Sequence, residues 1–284
     1  MTSEIEYAVA AMVCYGIVDF IYKRAASTGI RADHFLMGQA WFFLPAMVVY
    51  ALITHTLVPA LAALWGCLAG IFVLTGLYYF VRSLVSGAVG INASIFRLNF
   101  IVTAALAIAI LGEPLTLLKG VGLLLALLAT WLLVGAQQPS GGTSERARRR
   151  SLADVSIATL AFGASSFFHT VGLRHGAQPE TMAVAQAVIF MPLATTVVFS
   201  ADRKLPPGVA FKYGAVAAIF LLTATILFLR GVALGQASIL VPIAQMGFIV
   251  TAALGVVFLR EAVTVRKLVG LTAAASALAV LAAS

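Results

Sequence analysis

One arginine, Arg97, lies near the middle of a long apolar stretch at residues 88–111. A charged side chain inside hydrocarbon costs about 2.5–3.5 kcal/mol on membrane-insertion scales, so Arg97 is expected to face a water-filled cavity or a charged partner. A guanidinium stays protonated and binds carboxylates or phosphates through paired hydrogen bonds. Arg97 is therefore a candidate for binding an anionic group, or for pairing with an acid that a ligand displaces. A purely structural ion pair or carbonyl clamp is the alternative.

Asp19 is the natural partner for Arg97, because no other acidic residue lies well inside an apolar run. Helical spacing places Asp19 on one face with Tyr15 and Tyr22. A carboxylate enclosed in a membrane protein can exchange a proton during a functional cycle, so Asp19 is a candidate for both ligand binding and proton coupling. The alternative is an interfacial ion pair with Lys23, one helical turn away.

Other polar and aromatic side chains inside apolar runs are candidates for lining the same site. They are Asn92, Ser94, Asn99, Gln245, Gln39, Gln186, Tyr22, Tyr79 and Trp41. The amides could instead bridge helices by hydrogen bonds. The aromatic rings could stack on an aromatic or cationic ligand or pack at helix ends. His169 could relay protons, and a hydrogen bond to a backbone carbonyl is its alternative role.

The composition indicates that lipid surrounds most of the chain. Of 284 residues, 62% are hydrophobic and 10% are charged, and the mean hydropathy is +1.06. Soluble domains are about 45–50% apolar and about 25% charged. The net charge of +8 does not predict nucleic-acid binding, because the basic residues lie mainly in short gaps between apolar runs, a pattern typical of membrane topology.

The residues that bind metals or perform catalysis show no suitable spacing. Cys14 and Cys67 lie inside apolar runs, and the ten acidic residues and four histidines are scattered along the chain. These patterns fit no metal-ligand set and no nucleophile–base arrangement. We therefore predict no metal, no cofactor and no enzymatic activity.

Ten apolar runs are long enough to cross about 30 Å of hydrocarbon. They lie at residues 5–22, 34–54, 59–81, 88–111, 115–136, 152–173, 181–201, 209–229, 237–259 and 265–283. One long gap, residues 137–151, contains proline, glycine and four arginines, which is typical of a flexible, solvated linker. The sequence predicts an all-α integral membrane protein with five-helix units at 1–136 and 152–284.

The second unit repeats the first at an offset of 147 or 148 residues. Between residues 100–123 and 248–271, 14 of 24 positions are identical, including the run FIVTAAL. The same offsets pair Arg97 with Gln245, Gln39 with Gln186 and Tyr22 with His169. Because each unit has an odd number of spans, the second copy must be inverted relative to the first.

The distribution of basic residues supports this inversion. In the first unit they concentrate after spans one and three, and in the second unit they concentrate after spans seven and nine. These gaps and the linker fall on one side of the membrane only if the two copies are inverted. By the positive-inside rule, the linker is predicted to be cytoplasmic and both termini to lie outside.

The turn after each fourth span carries a recurring motif, LGEPLTLLKGVG at 111–122 and LREAVTVRKLVG at 259–270. Together with the duplication, which covers essentially the whole chain, this motif resembles the EamA-like branch of the drug/metabolite transporter superfamily. In the second copy Arg260 and Ala262 depart from the usual glycine and polar or proline residues. The recurring acids, Glu113 and Glu261, are expected to cap the helix that follows each turn.

The resemblance implies a ten-helix basket around a central cavity, which works by alternating access. It implies a secondary transporter in an inner membrane, surrounded by lipid and acting on a small polar or amphipathic metabolite such as an amino acid, organic acid or sugar. Proton coupling, export and a monomeric or homodimeric state are working expectations. The alternatives are import or exchange of a cationic metabolite or drug, such as a quaternary amine, and flipping of a lipid-like molecule.

Overall fold

The computed structural model describes residues 2–86, 89–134, 145–202, 205–259 and 264–284, and every regular element in these residues is helical. The first half comprises α1 Ser3–Ser27, α2 Ala32–Ile53, a 3₁₀ turn Leu61–Ala63, α3 Leu64–Ser86, α4 Val89–Arg97, α5 Asn99–Leu111 and α6 Leu117–Val134. The second half comprises α7 Glu145–Arg174, α8 Pro179–Asp202, α9 Gly208–Leu234, α10 Ala237–Gln245, α11 Phe248–Leu259 and α12 Val265–Ala282.

These helices fit the ten predicted membrane spans. Within the described residues, eight segments are long and apolar enough to cross a membrane, and the shorter apolar segments Ile95–Leu111 and Leu117–Leu133 account for the other two. The prediction of an all-α membrane protein with two five-span repeats is therefore confirmed.

The fourth and ninth spans, expected to be continuous, are each interrupted near the middle. At the first interruption Leu98 has ψ near 0°, and its N–H bonds to the carbonyl of Ile95 at 3.0 Å. At the second, Met246 has ψ near 13°, and its N–H bonds to Ile243 at 3.1 Å. Both are tight turns of the 3₁₀ type, so Arg97 and its repeat partner Gln245 each end a half-helix.

Helix α7 begins at Glu145, inside the stretch expected to be a linker, while residues 137–144 lie outside the described part of the chain. Glu145 accepts hydrogen bonds from Arg148 at 3.2 Å and from Arg149 at 3.0 Å. Hydrogen bonds from Arg149 and Arg148 lower the pKa of the Glu145 carboxyl. An acid in the first turn with arginines three and four positions later supports a helix start.

The two halves pack through exchanged partners. Helix α1 packs along α9, and its repeat counterpart α7 packs along α3. Helix α1 also contacts the interrupted span α10–α11, just as α7 contacts α4–α5. The last spans of the two repeats, α6 and α12, pair with each other. This pattern is that of a pseudo-two-fold arrangement in which each half completes the other.

Two glycines allow the interrupted spans to approach closely. A Cβ at Gly163 would lie 2.7 Å from the carbonyl oxygen of Asn99, and Thr103 Oγ1 donates to the Gly163 carbonyl at 2.9 Å. In the other repeat a Cβ at Gly16 would collide with the carbonyl oxygen of Gly247, and Thr251 Oγ1 donates to the Gly16 carbonyl at 2.9 Å. The repeated contact places a helix against each interruption, where only a hydrogen atom fits.

Gly163→Ala is expected to destabilise the protein by about 1–3 kcal/mol, because the new methyl group would force α7 away from the interruption. Gly120→Ala is the matched control, since Gly120 is also helical and a Cβ there would meet no atom within 4 Å. Thermal unfolding of the purified variants in detergent measures both changes. Equal melting temperatures for the two variants would contradict the close-contact role of Gly163.

Candidate functional site

Arg97 and Asp19 form an ion pair between helices α4 and α1. Arg97 Nη2 donates to Asp19 Oδ2, and the two side chains remain 26% and 22% exposed. Arg97 is the last residue of α4, where a cation also interacts favourably with the negative end of the helix dipole. The pair is therefore neutralised and yet partly accessible, so a charged ligand could compete for either member.

Asn99 begins the second half of the same span. Its Nδ2 donates to the carbonyl of Phe96 at 2.8 Å, which satisfies a backbone acceptor freed by the interruption. Its Oδ1 is buried without a hydrogen-bond partner. One end of this amide thus supports the broken helix, and the other end leaves an acceptor open beside Arg97 in the chain.

Tyr22 links the ion pair to helix α2. Its hydroxyl donates to Gln39 Oε1 at 2.7 Å, and it lies within electrostatic reach of Asp19 and Arg97. Gln39 is 4% exposed, and its Nε2 is buried without a hydrogen-bond partner. Gln39 therefore bridges helices with one end and leaves a donor available with the other.

The repeat-related positions carry a second polar pair, His169 with Gln186. His169 is 6% exposed and interacts with the Gln186 side chain. Its Nε2 and Gln186 Oε1 are nevertheless buried without a hydrogen-bond partner. The positions that correspond to Asp19 and Arg97 are occupied by Ser166 and Gln245, so the second repeat keeps the polar pair but has no ion pair at these positions.

Three candidates from the sequence, Asn92, Tyr79 and Trp41, are held by contacts within the protein. Asn92 Nδ2 donates to the Ser83 carbonyl and to Ser151 Oγ, both at 2.8 Å, and so bridges α4, α3 and α7. The Tyr79 ring lies 4.5 Å from the guanidinium of Arg82.

Trp41 is 42% exposed, and its Nε1 donates to Thr195 Oγ1 at 3.0 Å across the seam between α2 and α8. Its ring also lies edge-on to Phe211 of α9, with 6.3 Å between the ring centroids. The side chain of Ser94 lies outside the described part of the structure.

A cavity of about 380 Å³ opens between α2, α3 and α8. Its walls are mainly apolar, and its polar lining residues are Arg31, Asp33, Tyr78 and Arg82. Asp33 is bound by Arg31, and Arg82 is bound by Asp154. Arg97 and Asp19 are not among the lining residues. Arg82 is one of the basic residues after spans one and three that predicted the topology, and its place in this cavity was not predicted from the sequence.

A buried polar network around Glu113 joins the end of α7 to the start of α10. Glu113 accepts hydrogen bonds from the backbone N–H groups of Ala237 at 3.0 Å and Ser238 at 2.9 Å, and it pairs with Arg174 at 2.6 Å. The expectation that Glu113 caps the following helix, α6, was therefore wrong: it caps α10 in the other repeat. Glu261 lies outside the described residues.

Lys119, which follows Glu113 in the recurring motif, completes this network. Its Nζ donates to the Pro114 carbonyl at 2.7 Å, to Ser238 Oγ at 3.0 Å and to the side-chain oxygen of Gln236. Lys119 is fully buried. The conspicuous motif after the fourth span thus fastens the start of α10 and does not line the ion-pair site. Within the described residues, no group of three or more metal-binding side chains occurs.

Comparison with known proteins agrees with this architecture. The model of the EamA-like transporter family matches residues 2–135 and 153–283. No curated protein matches the chain. A solved crystal structure, described only as that of a protein, aligns with a TM-score of 0.79 over 98% of this chain and 96% of its own length at 16% identity, which indicates a shared fold. Because the family model matches nearly the whole chain in two copies, this protein belongs to the EamA-like transporter family of the drug/metabolite transporter superfamily.

Proposed function

We propose that the protein is a secondary transporter that moves a small polar or amphipathic metabolite across the inner membrane, and that Arg97 and Asp19 form its substrate-responsive ion pair. The observation that carries this proposal is a partly exposed ion pair, 26% and 22% accessible, whose arginine ends an interrupted helix. Transporters that work by alternating access bind their cargo at such interruptions, near the middle of the membrane.

A charged ligand can open this ion pair by supplying replacement charge. A carboxylate on the ligand would take the guanidinium of Arg97, and an ammonium group would take the carboxylate of Asp19. A zwitterion such as an amino acid supplies both charges, so no buried charge remains alone in the bound state. This reasoning favours zwitterionic or anionic metabolites, and a quaternary amine that engages Asp19 and the Tyr22 ring is the second candidate.

A proton is the other species that could open the pair, because protonation of Asp19 removes the charge that holds Arg97. We assign proton coupling to Asp19, and His169 is the candidate for a relay in the second repeat. In this proposal, units 1–136 and 152–284 rock against each other, and the linker at 137–151 is cytoplasmic.

Arg97→Ala is expected to weaken binding of an anionic or zwitterionic substrate more than tenfold, because a hydrogen bond to a charged group contributes about 1.5–3 kcal/mol. A thermal-shift screen of amino acids, organic acids, sugars and quaternary amines identifies the ligand, since a binder raises the melting temperature by mass action. Uptake into proteoliposomes then measures transport. Arg149→Ala is the matched control, because that side chain is 80% exposed on the surface. Saturable, wild-type transport by Arg97→Ala would refute the proposed role.

Asp19→Asn is expected to flatten the pH dependence of transport, because the amide cannot take up a proton and still occupies the same volume. Initial rates across a pH series in proteoliposomes, with and without an imposed proton gradient, provide the measurement. Glu145→Gln is the control, since the Glu145 side chain is 59% exposed and lies outside the membrane spans. A variant that retains the wild-type pH profile would exclude proton coupling at Asp19.

The proposed orientation can be tested by labelling single cysteines in whole cells after Cys14 and Cys67 are replaced by alanine. Arg148→Cys lies at the start of α7 beside the linker, and Gln178→Cys lies in the exposed turn before α8. A membrane-impermeant maleimide is expected to label Gln178→Cys and to spare Arg148→Cys until the cells are opened. The reverse pattern would place the linker outside.

A further inference from the structure

Two arginine–acid sets related by the repeat lie at opposite ends of the structure. The offsets of 147 and 148 residues pair Asp33 with Glu180 and Arg82 with Arg230. In the second repeat the two members are bound to each other: Arg230 donates to Glu180 Oε1 from Nε at 3.0 Å and from Nη2 at 2.6 Å. The Glu180 side chain is only 2% exposed, so this carboxylate is enclosed, while the Arg230 side chain is 37% exposed.

In the first repeat the corresponding residues have different partners. Arg82 donates to Asp154 at 2.8 Å from Nε and at 2.5 Å from Nη2, and Asp33 is held by Arg31 at 2.5 Å. The Asp154 side chain is 4% exposed, as enclosed as Glu180 in the other pair. Arg82 and Arg230 thus occupy equivalent positions in the two repeats, but the acids that they bind, Asp154 and Glu180, do not.

The cavity lies at the end of the structure where Asp33 and Arg82 are bound to other partners. Asp33, Arg82 and Val197 all line the open cavity between α2, α3 and α8. Their repeat counterparts are Glu180, Arg230 and Tyr50. At the other end these three residues contact one another, because Arg230 bonds to Glu180 and also to the Tyr50 hydroxyl at 3.4 Å. Residues that line a cavity at one end therefore contact one another at the other end.

We propose that Asp33 and Arg82 form a gate that is open in this structure, and that Glu180 and Arg230 form the opposite gate, which is closed. In the alternate state Arg82 leaves Asp154 and binds Asp33, which closes the cavity, while Arg230 releases Glu180. This inference rests on the proposed alternating-access function and assigns to it four residues that lie apart from Arg97 and Asp19.

The exchange keeps Asp33 paired in both states, but it takes the arginine away from the buried carboxylate of Asp154. Asp33 is accompanied by Arg31 in the present state, and Arg82 moves from one acid to another. At the other end the position that corresponds to Asp154 is Tyr7, which lies within electrostatic reach of Arg230. A tyrosine holds a released arginine less strongly than a carboxylate does. In this proposal, the difference favours the state in which the cavity is open on the Arg82 side.

The gate can be tested by maleimide labelling of two repeat-related positions in purified protein that lacks Cys14 and Cys67. Leu77→Cys reports on the cavity, since Leu77 lines it, and Thr225→Cys reports on the closed end, since Thr225 is 7% exposed. In the otherwise unchanged protein, Leu77→Cys is expected to react readily and Thr225→Cys slowly.

Asp154→Asn is expected to reduce the labelling rate of Leu77→Cys several-fold, because Arg82 is then free to bind Asp33. Adding Asp33→Asn should restore the rate, because the alternative partner is gone. Glu180→Gln provides an independent arm through the opposite gate, and it should increase labelling of Thr225→Cys. Glu145→Gln is the control acid, and it should change neither rate.

An unchanged Leu77→Cys rate in Asp154→Asn, or a failure of Asp33→Asn to restore it, would overturn the gate, as would an unchanged Thr225→Cys rate in Glu180→Gln. Size-exclusion profiles identify any variant that does not fold. If one of Asp154→Asn and Glu180→Gln does not fold, the labelling result of the other variant tests the gate. The labelling requires no substrate, so it is separate from the transport assay of Arg97→Ala. If the labelling rates change as expected but the protein shows no transport, the gate stands and only the proposed transport function is refuted.

Discussion

The two glycines at positions 16 and 163 determine how closely each repeat approaches the interrupted span packed against it. At both sites a Cβ would collide with a carbonyl oxygen at the interruption, and a threonine one turn further along returns a hydrogen bond to the glycine carbonyl. This contact seals the backbone of a broken helix against a neighbour, which a membrane protein must do because no water in the bilayer core can satisfy freed peptide groups. Arg97 and Gln245, one at each interruption, owe their positions to this packing.

The backbone is nearly symmetric, but the side chains at its centre are not. Arg97 has a repeat-related glutamine, and Asp19 has a repeat-related serine, while Tyr22 with Gln39 is matched by His169 with Gln186. A symmetric frame lets the same rocking motion expose either side. A single ion pair in that frame means that both exposed states present the same charges to a ligand. In the proposed mechanism, chemical asymmetry at the centre gives one binding site, and the symmetry of the repeats gives it two entrances.

Features that depend on residue type and spacing could be predicted from the sequence. The apolar runs predicted the ten spans, the duplication predicted their two repeats, and the isolated charges predicted that Asp19 is the partner of Arg97. The interruption at Leu98 could not be predicted, because no proline or glycine marks it and Gly163, which packs against it, lies on another helix that is distant in the chain. The role of Glu113 was also hidden, since its carboxylate acts on α10, 124 residues away in the chain. The ion pair of Arg82 was hidden as well, because its partner, Asp154, lies in the other repeat.

In the proposed gate, the same kind of asymmetry at the periphery determines which state is favoured. A hydrogen bond to a charged partner contributes about 1.5–3 kcal/mol, against about 0.5–1.5 kcal/mol for a typical one. In the alternate state Arg230 would be held only by Tyr7, the counterpart of Asp154. The state seen in this structure would therefore be favoured by about 1–2 kcal/mol, which corresponds to a population ratio of about 5–30. A bias of this size sets a preferred side without trapping the protein there. A much larger bias would oppose turnover, because each cycle in the proposed mechanism must populate both states, and the binding energy of the ligand would have to overcome the difference.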